Sequence, residues 1–306
     1  MPPSTRYATA ALPALLLFVS IALAQQQPVV QAVPQALPPV GPPPDFQLNQ
    51  VQQAQLDQVL DTWQRESGKI NTFKCSFERW DYNLAFGPAD DVPLNKDKGE
   101  LSYGKPDKGS FQITEINAWQ AVSVPPGQAP RAQVQGNWVH QPDAVGEHWV
   151  CDGKSIFEYR HQQKQLVERP IPPQMQGQAI IDGPLPFLFG AQPAKLKARY
   201  WMRVDPSPNP NQIWLVAEPK HQAQAADFKR VRVILDRQRL LPTHMQIEFP
   251  NGSRHMYVFD VAKATVNSPL QQLMSFFQRP RLPSGWKRVV EPMPVAQAAQ
   301  PLLPPR

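Results

Sequence analysis

The chain has 306 residues, 37 of them proline, with 18% charged residues and a formal net charge of +6. Its Lys and Arg residues are scattered among acids and form no stripe, which argues against nucleic acid as the main partner. The part between its Pro- and Gln-rich ends, about 250 residues, fits one all-β domain, and no internal repeat is visible.

Residues 1–24 read as a secretory signal peptide. Arg6 precedes an apolar run over 8–24, and Ala22-Leu23-Ala24 forms a small-x-small cleavage site before Gln25. The mature chain is therefore expected to be exported, periplasmic or elsewhere in the cell envelope, and soluble after cleavage. Residues 25–45 are Gln, Pro, Val and Ala with no charge until Asp45, and 292–306 repeat that texture. Neither segment can bury enough surface to offset the entropy of ordering. Both are expected to be disordered, leaving 46–291 as the folded domain.

Residues 48–66 carry Leu56, Val59, Leu60 and Trp63 on one helical face, with Gly68 as the stop. The period then changes to two: Phe73, Cys75 and Phe77 alternate with polar residues, as do Leu101 and Tyr103. The turn 104–109 leads into 110–116, where Phe111 and Ile113 share a face. Residues 119–146 read as a long inserted loop near the rim, with Pro125, Pro126 and Pro130. Trp149 to Cys151, an Asp152-Gly153 turn, Phe157 and Tyr159, and a return over 165–168 continue the strand pattern.

Gly183-Pro184-Leu185-Pro186-Phe187-Leu188-Phe189-Gly190 is an apolar plug. It is too short to cross a bilayer, and its prolines exclude it from mid-sheet. Pro is tolerated early in a helix, so this segment predicts one short helical turn acting as a lid; a core-filling loop is the alternative. Strands are expected over 198–204, 213–218, 228–235 and 242–249, and Asn251-Gly252 turns the last into 253–262. Short connections favour antiparallel neighbours, and a sheet of about ten strands curls. The leading helix and the plug would cover its concave face.

Several motifs fail on inspection. Gly99 to Lys105 has phosphate-loop spacing, but Pro106 stands where Ser or Thr is needed. The six histidines include no pair at the H-x-x-x-H spacing, so no metal site is expected. There is no G-x-S-x-G elbow, and Asp81, Asp90 and Asp91 lack any mark of a general acid/base pair. No catalytic residue and no cofactor is expected. Cys75 and Cys151 share parity with inward aromatics; an intrachain disulfide and two buried thiols are both open.

In order along the chain come the helix leading into Ile70-Asn71-Thr72-Phe73-Lys74-Cys75-Ser76-Phe77, Gly99-Glu100-Leu101-Ser102-Tyr103 with Lys105-Pro106, and Cys151-Asp152-Gly153-Lys154 with Ile156-Phe157-Glu158-Tyr159. They are followed by the plug, and then by Trp214-Leu215 with Pro219-Lys220. That order resembles the LolA-like periplasmic outer-membrane lipoprotein carriers, in an uncharacterised exported bacterial branch, over about residues 50–288. The resemblance implies a mainly β fold with helices: a curved antiparallel sheet forming an incomplete β-barrel, covered by an N-terminal helix and a short helical lid. It also implies a lipoprotein's acyl chains held between sheet and helices. The carriers have Arg before the Pro of the second strand as a lid latch; Lys105 holds that position and lacks Arg's planar fork.

The lining expected for acyl chains is Phe73, Phe77, Leu101, Tyr103, Phe111, Ile113, Trp149, Phe157 and Tyr159, with Ile247, Phe249 and Tyr257, under Phe187, Leu188 and Phe189 of the lid. Two functions follow. One is a lipid- or lipoprotein-binding carrier without covalent chemistry; the other is a non-catalytic envelope scaffold on the same fold, using its tails and inserted loop to bind envelope proteins. A hydrolase with an unrecognised site is the third reading, for which no residues stand out.

Overall fold

The computed structural model describes residues 41–122, 135–177, 188, 192–221, 225–269 and 277–292. The chain divides into Met1–Val40 and Gly41–Arg306, and every described residue belongs to the second unit. The signal peptide, the linker to residue 40, the lid residues other than Leu188, and the tail beyond 292 lie outside the described residues.

Where the segment read as linker meets the domain, Pro44–Phe46 forms a 3₁₀ turn whose Phe46 is buried. Helix α1, Gln50–Gly68, starts at a capping box. The Asn49 side chain accepts from the Gln52 N–H, and the Gln52 side chain accepts from the Asn49 N–H, each at 2.9 Å. Leu56, Leu60 and Trp63 are its buried face. Its end is tied down twice, by Lys105 Nζ donating to the Gly68 carbonyl and by Asn267 Nδ2 donating to the Lys69 carbonyl.

Among the described residues one fifteen-stranded sheet follows. Its first strands are β1 Thr72–Tyr82, β2 Asn95–Gly104, β3 Lys108–Glu115, β4 Asn117–Ala121 and β5 Gly136–His140. Next come β6 His148–Asp152, β7 Ser155–Arg160 and β8 Gln165–Pro170. After α2, Pro193–Arg199, the chain adds β9 Tyr200–Asp205, β10 Gln212–Pro219, β11 Arg230–Asp236, β12 Pro242–Glu248 and β13 Arg254–Phe259. Two short strands end it: β14 Thr265–Val266 and β15 Lys287–Val290. The main order is β15-β8-β7-β6-β3-β2-β1-β13-β12-β11-β10-β9, so the sheet is open, with β15 and β9 at its two margins.

Registers align the inward side chains across this path. Phe77 lies opposite Phe259 and Gly99, Leu101 opposite Phe111, and Phe111 opposite Trp149. Gly99 is required by a close approach, since a Cβ there would stand 2.4 Å from the Phe77 ring. The ring lies over that gap and stacks on Phe111 at 4.9 Å between centroids. At the β6–β7 turn, Gly153 has φ +88°, a conformation that suits Gly.

Four expectations are corrected. The inserted segment is not all loop: it contains the β4–β5 hairpin, in which Trp119 and Trp138 sit opposite one another and meet edge to face at 4.7 Å. The segment 198–204 opens with the end of α2 and becomes strand only at Tyr200. Pairing is not antiparallel throughout, because β15 runs parallel to β8. Phe157 and Tyr159 do not line the concave face. Phe157 pairs with Val150, the neighbour of Trp149 that points the other way, so both aromatics lie on the convex side.

That convex side is covered at the β6–β8 end by the returning C-terminal segment. Arg279 lies 5.8 Å from the Phe157 ring, and Trp286 meets Tyr159 edge-on. Arg279 and Arg288 both donate to the buried Glu168 carboxylate. Phe157 is 0% exposed although it is not part of the concave cluster.

Candidate functional site

The inward faces of β1–β3 and β9–β13, together with α1, build one continuous apolar cluster. Of the residues expected to line it, Phe73, Phe77, Leu101, Phe111, Ile113, Ile247 and Tyr257 are members, with Tyr103, Trp149 and Phe249 packed against them at partial burial. Leu188 belongs to the same cluster. Phe187 and Phe189 lie outside the described residues. The centre is filled by aromatic rings: Phe111 stacks on Trp149 at 5.7 Å, and Phe77 meets Tyr257 and Phe259 at 5.8 and 6.2 Å.

The cysteines take the second of the two courses open to them, as free buried thiols. Cys75 is on β1 and Cys151 on β6, with β2 and β3 between. Three strand steps of about 4.8 Å separate them by about 14 Å, twice the reach of a disulfide. Burial pushes the Cys75 thiol up to about 12 and the Cys151 thiol up to about 11. Lys105, expected as a lid latch, touches the end of α1; any contact with residues 183–187, 189 or 190 lies outside the described residues.

One end of the concave face is polar, a feature that alternation alone does not predict. Arg79 sits between Asp97 and Tyr257 in register, and its guanidinium donates to Asp97 at 2.8 Å and to Glu147 at 3.1 Å. The Asp97 side chain is 2% exposed, and burial pushes its carboxyl above the ordinary range against the pull of Arg79. Burial also raises the Tyr257 hydroxyl to about 12. Beyond them, His255 approaches Asp81 at 3.6 Å. Both carboxylates beside Arg79 are spent on it, so this cluster is a structural ion-pair network at that end of the sheet. Among the described residues no group of three His, Cys, Asp or Glu side chains could hold a metal ion, and no helix is long and apolar enough to cross a membrane.

The other margin is open. Where α1 begins against β9, a cavity of about 500 Å³ opens beside the core. Its apolar wall is Phe46, Leu48, Leu56, Tyr200 and Met202, and Lys197, Trp201 and Lys220 stand with the amides of Gln47, Asn49 and Gln53 around it. Leu56, Tyr200 and Met202 belong to the concave cluster as well, so the cavity continues the core surface. Sequence reasoning missed this site because its walls come from separate segments of the chain. The visible signals were Phe46 at the start of the expected domain, and Trp201 and Lys220 at the start of one strand and just past the end of the next.

No family model matches the chain, and no curated protein matches it. Solved structures do match. An uncharacterized conserved protein from Thermus thermophilus matches at a TM-score of 0.41 and 10% identity, over 78% of this chain and 100% of that one. A LolA superfamily protein from Nitrosomonas europaea matches at 0.34 and 8%, over 72% and 97%. A chain of the Pseudomonas aeruginosa MucA/MucB complex matches at 0.33 and 12%, over 71% and 61%. The chain is similar to these at that level, and its functional reading rests on its own residues.

Proposed function

We propose that this is an exported envelope protein that binds lipid acyl chains, free or on a lipoprotein, against the helix-covered concave face of its open sheet, without covalent chemistry. The observation that carries this reading is the continuity of apolar surface from the packed concave cluster into the cavity beside α1. About 500 Å³ falls within the roughly 300–1,000 Å³ of small-molecule pockets. A chain laid along Leu48, Leu56 and Met202 gains about 0.8 kcal/mol per methylene removed from water. Carriage of a lipoprotein between membranes is the fuller form of the same proposal, supported by the sequence resemblance alone.

The test is lipid content and probe binding. Native mass spectrometry of protein purified from an exporting host should find co-purified lipid, and cis-parinaric acid should bind with enhanced fluorescence. Leu48→Trp, which fills the cavity from a half-buried position outside any helix or strand, should weaken probe binding while circular dichroism stays unchanged. Wild-type protein that carries no lipid and excludes the probe would overturn the reading.

A further inference from the structure

The cavity beside α1 has a charge pattern that bears on which amphiphile would fit. Among the described residues it is lined by two ammonium groups and by no carboxylate. The two are not equivalent. Lys197 is neutralised by Asp57 at 2.8 Å. Lys220 donates to the Lys197 carbonyl at 2.5 Å and lies 4.1 Å from the centre of the Trp201 ring. A carbonyl dipole and a π face hold an ammonium in place but leave its unit charge uncompensated. No carboxylate pairs with Lys220 among the described residues, since the neighbouring Glu218 is taken by Arg230. Burial lowers the Lys220 pKa, the mark of a cation partly stripped of water.

The positive end of α1 adds to this potential, because Asn49 and Gln53 of its first turn line the same cavity. On the opposite side the wall turns apolar, through Leu56, Tyr200 and Met202, toward the core. We infer that this cavity is the head-group end of the binding site, and that it selects an anionic single-chain amphiphile. Lys220 holds the carboxylate or phosphate beside Trp201, and the chain runs inward over Leu56 and Met202. The inference rests on the acyl-binding reading above and adds the charge of the ligand and the residue that recognises it.

Displacement of cis-parinaric acid from the full mature chain tests it, with three oleoyl competitors differing only in the head: oleate, oleoyl lysophosphatidate and neutral monooleoylglycerol. The two anions should compete about tenfold better than the neutral lipid, as expected for one charge-assisted contact. Whichever anion gains more identifies carboxylate or phosphate as the head. Lys220→Gln should remove that advantage, bringing the two anions to the level of monooleoylglycerol, and Lys220→Arg should keep most of it. Equal competition by all three lipids in the wild type overturns the inference, as does a Lys220→Gln loss that is the same for neutral and anionic competitors. In both cases acyl binding itself stands. Failure of the wild type to bind the probe overturns both.

Discussion

Replacing Arg79 by Met would leave the Asp97 carboxylate buried without its counter-charge. Its side chain is 2% exposed and that of Arg79 14%, so neither group can turn to water without opening β1 from β2. Breaking such a pair from one side costs about 3–5 kcal/mol. A second route limits the loss, because Asp97 can take up a proton. For a carboxyl that ionises near 3.8 when free, staying neutral at pH 7 costs about 4 kcal/mol, at about 1.4 kcal/mol per pH unit. At pH 5 the same escape costs under about 2 kcal/mol.

The sign follows from linkage. The folded-state pKa of Asp97 is already raised, so the native state binds more protons than the unfolded state in the interval above 3.8, and stability falls there as pH rises. Arg79→Met widens that interval upward. Urea unfolding followed by tryptophan fluorescence should show Arg79→Met less stable than wild type by about 3–4 kcal/mol at pH 7 and by less than about 2 kcal/mol at pH 5. Because His255 also titrates nearby, the control is Arg79→Met with Asp97→Leu. It should recover much of the loss at pH 7 and abolish the added slope. A deficit independent of pH, or a double variant no better than the single one, would refute the assignment of Asp97 as the group left stranded.

Iodoacetamide at pH 8 should leave Cys75 and Cys151 unmodified in the native protein, their thiols being held near 12 and 11, and should add two groups after unfolding without reductant. A mass two hydrogens lower with no adduct would show a disulfide and overturn the separation of β1 from β6. On the convex side, Arg279→Ala and Arg288→Ala together should lower stability by about 3 kcal/mol, because Glu168 is left with Ser155 alone. Each single change should cost well under half of that; strictly additive losses in thermal unfolding would refute the sharing of one carboxylate by two guanidinium groups.

Much of the fold was legible because local period and turn chemistry agree. The apolar face of α1, the alternation through Phe73, Cys75 and Phe77, and the Asp152-Gly153 and Asn251-Gly252 turns each appear where expected, with both glycines at positive φ. What failed depended on partners distant in sequence. Alternation places Phe157 and Tyr159 on one face of β7, but which face is inward is set by the pairing of Val150 with Phe157. Either side would have served an aromatic, since the segment 277–291 returns more than a hundred residues later to cover the outer one. The β4–β5 hairpin was hidden by the prolines beside it, although Trp119 and Trp138 hold it together across the strands.

The same distinction bears on where a lipid would sit. At the centre of the concave face the rings of Phe77, Phe111 and Trp149 already occupy one another's surfaces. A chain entering there would exchange one apolar contact for another, with little net removal of surface from water. Beside α1 the balance differs. Leu48, Met202 and Leu56 face a cavity of about 500 Å³, so each methylene placed against them is a net gain. On the proposed reading, the lining expected from sequence would therefore be the floor that supports the site. Occupancy would begin at the β9 margin, where half-buried Leu48 borders the cavity and a cation lies beside it.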